Sequence, residues 1–261
     1  MLPYPHIDPV IFRIGPLAVR WYGMMYLFGF VAGYFNIRYL AKRRNLPLSD
    51  DTLSDLLFWC VCGVILGGRI GYTLFYNTAY YLEHPIKIFA VWEGGMSFHG
   101  GLLGVGVAFY WFCLRRGLPH LLTGDILAAA TPLGLGFGRL GNFINGELWG
   151  RVTDLPWAMV FPDAGPLPRH PSQLYEALLE GPVLWLILWT LHRRNVRPGV
   201  PLMSFLLTYG IFRFAVEFVR QPDPQLGFLW GGATMGQLLS LPMIIAGVLG
   251  LVWVLRRGRP T

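Results

Sequence analysis

Some seven apolar stretches, joined by short polar connections, decide which architectures are open to this 261-residue chain. They run roughly from Tyr22 to Leu40, Leu56 to Phe75, Gly100 to Cys113, Ile126 to Phe143, Leu178 to Leu191, Leu202 to Phe218 and Gly236 to Leu255. Lipid offers a backbone no hydrogen-bond partner, so such segments must be bundled helices rather than an open sheet. Composition agrees, with 54% hydrophobic residues, 13% charged residues and a mean hydropathy of +0.48. The expectation is an all-α polytopic membrane protein of about seven spans, with residues 1–261 forming one integral-membrane domain. The third and fifth stretches are short, and either extend by several residues or sit in thinned bilayer. No basic region opens the chain, so the first span is expected to be uncleaved.

Basic clusters follow the odd-numbered stretches: Lys42, Arg43 and Arg44; Arg115 and Arg116; Arg193, Arg194 and Arg197; Arg256, Arg257 and Arg259. That spacing assigns those ends to the cytoplasm, the N-terminus to the outside and the C-terminus to the cytoplasm. It also explains the net charge of +7 without nucleic acid. Segments on the outer side are expected near 76–99, 144–177 and 219–235. Cys60, Cys62 and Cys113 lie in apolar runs, where they read as packing residues.

This orientation places the polar residues of the spans in the outer half of the bilayer. Tyr22, Arg69, His99, Arg139, Asn142, Arg213 and Glu217 all fall there. A mid-membrane arginine costs on the order of 2.5–3.5 kcal/mol on insertion scales, so Arg69, Arg139 and Arg213 each need a counter-charge or a cavity. A lipid phosphate would serve; so would an internal ion pair or snorkelling to the interface. Tyr209, Arg213 and Glu217 recur at intervals of four and share one helix face, where the last two can pair.

The densest polar run, from Gly138 to Gly150, interleaves glycines with Arg139, Asn142, Asn145 and Glu147 and reads as a binding loop. Gly136 to Gly141 also satisfies G-x-G-x-x-G, but no strand or ribose-binding acid accompanies it. Ser97 and His99 lack the elbow and third member of a serine hydrolase. The six histidines are scattered, with no metal-binding spacing. Asp125 reads as a first-turn acid of the fourth span.

The run from Gly138 to Gly150 resembles the signature of the phosphatidylglycerol:prolipoprotein diacylglyceryl transferase family. Further similar segments are Trp21 to Tyr26, Gly67 to Tyr72, Trp92 to Gly101, Arg169 to Glu176 and Arg213 to Pro222, so the resemblance covers nearly the whole chain. Val152 to Pro168 shows no clear family pattern, which leaves open the size of any lid. The resemblance implies an inner-membrane enzyme joining a lipobox cysteine of a prolipoprotein to the diacylglyceryl group of phosphatidylglycerol. Glycerol-1-phosphate would leave, and no cofactor is needed. It further implies functional roles for Tyr22, His99, Arg139, Asn142, Glu147, Gly150, Tyr209, Arg213 and Glu217.

In that chemistry Arg139 and Arg213 suit a phosphate clamp, because a guanidinium holds oxygens through two directed bonds. Asn142 and Tyr22 can orient the head group, and Glu147 and Glu217 can fix the arginines or bond glycerol hydroxyls. Arg69 joins Arg139, Asn142, Glu147, Gly150 and Tyr209 as a candidate substrate contact. His99 is the candidate proton acceptor, with a structural hydrogen bonder as the other reading. A lipid transporter would also use arginines and glycines, but should carry polar groups along a path to both faces. A non-catalytic sorting protein would have no evident need of the arginine pair.

Overall fold

The computed structural model describes residues 2–15, 17–75, 78–222 and 228–257, with Leu17, Glu93, Phe98, His99 and Trp230 described by their backbone alone. A hairpin of β1 (Val10–Ile14) and β2 (Leu17–Arg20) precedes α1 (Trp21–Arg43), α2 (Asp50–Phe75), the short α3 (Thr78–Glu83) and α4 (Phe98–Arg116). Then come α5 (His120–Ile144), α6 (Ser172–Leu178), α7 (Leu184–Arg193), α8 (Val200–Val216) and α9 (Met235–Arg256). Each of the seven apolar stretches lies on a helix. The all-α expectation needs one correction, since the β-rich run Val10–Ile14 folds back on β2 in an antiparallel pair. Gly15, at φ 57°, supplies a left-handed residue in the connection.

Among the described residues, four helices are long and apolar enough to cross a membrane: Asp50–Phe75, His120–Ile144, Ser172–Arg193 and Met235–Arg256; Val200–Val216 is a shorter apolar helix. The two short stretches are lengthened. Ser97 caps α4, its Oγ accepting from Gly100 N at 3.2 Å, and the helix runs to Arg116. A π turn at Leu179–Val183 absorbs Gly181 and Pro182, so α6 and α7 continue as one 22-residue helix. The connections near 76–99 and 219–235 fall partly outside the described residues (76, 77 and 223–227), as does Arg259 of the last basic cluster.

The chain divides into two compact units, Asn45–Thr123 and the remainder. In the first, α2 and α4 meet backbone to backbone. A Cβ on Gly67 would lie 2.2 Å from Gly100 O, and one on Gly63 2.5 Å from Gly104 O, so no side chain fits there. Small residues at such intervals let membrane helices approach closely. Arg69 of α2 is buried, and its five N–H groups all point at carbonyls of the following connection. Nε donates to Ile88 O at 2.7 Å, Nη1 to Gly94 O and Gly95 O, and Nη2 to Lys87 O and Ala90 O.

In the second unit, Asn36 of α1 donates to Ala129 O of α5 at 3.1 Å and accepts from Trp185 Nε1 of α7 at 3.3 Å. One end of this unit is basic: Arg43 Nη2 reaches Arg193 O, Arg44 Nη2 reaches Val196 O, and Arg197 Nη1 reaches Leu255 O and Arg257 O. At that end Asp125 corrects its sequence-based reading. It caps not its own helix but α8, its two carboxylate oxygens accepting from Gly199 N at 2.7 Å and Leu202 N at 2.8 Å. At the other end Tyr4 donates to Phe143 O at 2.7 Å and packs with Phe143, Met159 and Phe161 in a small core. The patternless segment Val152 to Pro168 is closed on itself through Val152↔Arg169 and Met159↔Arg169 bridges, with Phe161 fully buried.

Candidate active site

The end of the second unit opposite the basic cluster gathers α1, the C-terminal ends of α5 and α8, and the N-terminal ends of α6 and α9. Gly136 and Gly181 make the key approach: a Cβ on either would lie 3.0 Å from the other's Cα, so α5 and the π turn touch by backbone. Gly141 likewise accommodates the ring of Tyr22. The G-x-G-x-x-G run is thus helix-packing sequence within α5. Three residues beyond Gly136, Arg139 faces Glu176, just before the π turn, and Glu180, within it.

Arg139 Nε lies 2.7 Å from Glu176 Oε2 and 3.2 Å from Glu180 Oε2. Glu176 turns its other oxygen to Arg213 Nη1 at 3.4 Å, so the two arginines meet on one carboxylate. Arg213 Nη2 pairs with Glu217 one turn along α8. Glu217 also accepts from Arg220 Nη1 at 3.3 Å and from the Thr234 hydroxyl, which caps α9. Three arginines and three glutamates therefore balance one another, and the glutamates are at most 3% exposed while Arg139 keeps 18% of its side-chain surface open. Paired and multiply bonded charges of this kind are tolerable in an apolar bundle, whereas a lone one is not. The glutamates engage Arg139 through Nε alone; neither of its Nη groups makes a hydrogen bond among the described residues. Tyr209, stacked on Phe205, lies close enough to Arg139 and Glu180 to interact with their charges.

A second polar group adjoins it on the α5 terminus. Asn142 Nδ2 donates to Glu147 Oε1 at 2.8 Å, and Asn145 Nδ2 to the same oxygen at 3.3 Å. Gln173 of α6 holds the Glu147 carbonyl at 2.6 Å, and Ser172 holds Leu148 O at 3.0 Å. Gly146, at φ 69°, turns the chain here, and Leu148 adopts φ 58°, a conformation a side chain rarely takes. Tyr22 hydrogen-bonds Tyr26 at 3.1 Å and sits beside Asn142 and Glu147. Gly150 has a structural reason for its identity: a Cβ would meet His170 Cβ at 2.6 Å and Val219 O at 2.7 Å. Nearby, burial lowers the His170 imidazole below its ordinary value, and its Nδ1 lies 3.3 Å from the Tyr175 hydroxyl.

Of the residues singled out in the sequence, the structure brings Arg139, Arg213, Glu217 and Tyr209 into one cluster, with Tyr22, Asn142 and Glu147 around the end of α5. Arg69 lies in the other unit. All five of its donors are on carbonyls, where they anchor residues 87–95. His99 belongs to the first turn of α4, and its side chain lies outside the described residues. Ser97 is spent as the α4 cap. Glu176, Glu180 and Arg220 were not singled out from the sequence. The available signal was the pair of acids four apart in an otherwise apolar helix, a costly placement that calls for a partner.

Comparison with known proteins identifies the family. The sequence profile of the prolipoprotein diacylglyceryl transferase family matches residues 9–253. A phosphatidylglycerol--prolipoprotein diacylglyceryl transferase of Geobacter sulfurreducens is 58% identical over 256 residues, covering 98% of each chain. Proteins of the same name from Pseudomonas paraeruginosa and Aliivibrio salmonicida are each 56% identical, covering 98% of this chain and 97% and 90% of their own. On a match of this length and identity, the chain belongs to the prolipoprotein diacylglyceryl transferase family.

Proposed function

We propose that this protein transfers the diacylglyceryl group of phosphatidylglycerol to the lipobox cysteine of a prolipoprotein signal peptide, the first step of bacterial lipoprotein maturation. The reading rests on one observation above all: Arg139 and Arg213 converge on Glu176, with the forked end of Arg139 unengaged among the described residues. Two guanidiniums so held can take the oxygens of a lipid phosphate and the charge that grows on it as it leaves.

In the reaction the cysteine sulfur attacks the glyceryl carbon that bears phosphate. A C–S bond forms, the C–O bond breaks, and its electron pair departs on glycerol-1-phosphate. The thiol proton goes to a base, the role assigned to His99, because a thiol with a pKa of about 8.5 is mostly protonated near neutrality. Tyr22 and Asn142 orient the head group, and Glu217 steadies Arg213. No cofactor takes part.

The whole chain acts as one integral-membrane catalytic domain crossing the bacterial inner membrane seven times, N-terminus periplasmic and C-terminus cytoplasmic. The arginine cluster then opens toward the periplasm, opposite the basic ends. Its partners are phosphatidylglycerol, the lipobox peptide and surrounding lipid. The alternative of a transporter fares less well, because the segments between the arginine cluster and the basic end, 126–138 of α5 and 184–191 of α7, carry no charged residue. Purified protein mixed with phosphatidylglycerol and a lipobox peptide should yield peptide heavier by one diacylglyceryl unit in a mass spectrum. Unmodified peptide, with the lipid intact, would refute the transfer.

A further inference from the structure

Glu180 combines three unusual features at one position. It lies in the π turn Leu179–Val183, where Gly181 departs from helical geometry at φ −92°, ψ −109°. Its side chain is fully buried, and its Oε1 has no hydrogen-bond partner. Its other oxygen accepts from Arg139 Nε at 3.2 Å. A π turn disrupts regular pairing and recurs at functional sites, and a buried carboxylate oxygen without a partner calls for an explanation of its own. An apolar residue in a regular helix would fill the same space with neither burden.

Glu176 does not make Glu180 redundant. Glu176 is shared, its two oxygens divided between Arg139 and Arg213. Among the described residues, Glu180 is ion-paired with no arginine but Arg139. A guanidinium held by one shared carboxylate can swing about that contact; a second carboxylate on the same Nε restricts the swing. The backbone contact of Gly136 with Gly181 fixes the distance between the two elements that carry Arg139 and Glu180.

From this arrangement we infer that Glu180 is a positioning residue for the transfer reaction, one that works through Arg139. It grips Nε from the protein side and so keeps the Nη1 and Nη2 fork turned toward the lipid phosphate. The inference rests on the phosphate-clamp reading above and deepens it. Glu180 itself touches neither substrate nor leaving group. Its loss lets the fork rotate, which weakens stabilisation of the departing phosphate and lowers kcat more than it raises KM for phosphatidylglycerol.

The test is a double-mutant cycle with Glu180→Ala, Arg139→Lys and the pair, each reconstituted with phosphatidylglycerol and a lipobox peptide and checked for folding by thermal unfolding in detergent. Misplacing a binding group by about 1 Å can cost on the order of 100-fold. Glu180→Ala should therefore lose on the order of 100-fold in kcat beside native Arg139, and almost nothing further in the Arg139→Lys background, where the fork is already gone. Glu180→Gln, whose amide oxygen can still accept from Nε, should recover much of the loss. Equal losses in both backgrounds, or wild-type kcat in Glu180→Ala, would overturn the inference. Should Glu180→Ala not fold, Glu180→Asp carries the test: the shorter arm cannot reach Nε, and wild-type kcat in that variant would overturn the inference equally. Inactive wild-type protein in the same assay would instead refute the transferase reading.

Discussion

Burying an arginine among apolar helices means finding partners for as many as five N–H donors, and Arg69 and Arg139 do so differently. Arg69 gives all five to backbone carbonyls and becomes a structural peg. Arg139 gives Nε to two carboxylates and keeps its fork. In the sequence these two residues look alike, since each follows a glycine in an apolar run; only the contacts separate them. His99 is the proposed proton acceptor. If it takes the thiol proton, His99→Asn should reduce turnover more at acid pH than at alkaline pH, where the thiol ionises without help. A pH–rate profile of unchanged shape would remove the base role. Arg139, Arg213, Glu217 and their neighbours were legible because charge and amide groups in lipid-facing sequence are costly. Glu176 and Glu180 carry the same signal, but their partners are distant in the chain and no local spacing pairs them.

At the level of elements, helix existence was written in the hydrophobic runs, while helix ends and joins were not. The cap Ser97 and the π turn at Gly181–Pro182 extend two helices beyond their apolar cores, and neither is a hydropathy signal. Asp125 shows the same limit. Its place near the start of α5 suggests a local dipole partner, yet it serves α8, 74 and 77 residues away. Asp125 thereby ties the start of the helix bearing Arg139 to the start of the helix bearing Arg213. Asp125→Ala leaves one buried and one partly buried N–H group without their acceptor and should destabilise the protein by about 1–3 kcal/mol. Asp125→Asn, which keeps one acceptor oxygen, should lose less. Thermal unfolding in detergent measures both, and a wild-type melting temperature for Asp125→Ala would dismiss the cap.

On the scale of the whole molecule, the second unit is polarised. Basic side chains bond the last carbonyls at one end, and a balanced cluster of arginines and glutamates occupies the other. The charge pattern along the sequence predicts that segregation, because alternating basic connections place alternate helix ends on one side. What the pattern cannot supply is the convergence of α5, α6 and α8 on Glu176, which depends on the approach of Gly136 to Gly181, two residues far apart in the chain. The central claim is that this convergence shapes a guanidinium clamp for a lipid phosphate, in which geometry matters as much as charge. Arg139→Lys and Arg213→Lys retain the charge and lose the fork. Their turnover with phosphatidylglycerol and a lipobox peptide, compared with wild type at equal amounts of folded, membrane-inserted protein, tests the claim most directly. The account predicts a fall of about 100-fold or more in each; turnover equal to wild type in both would contradict it.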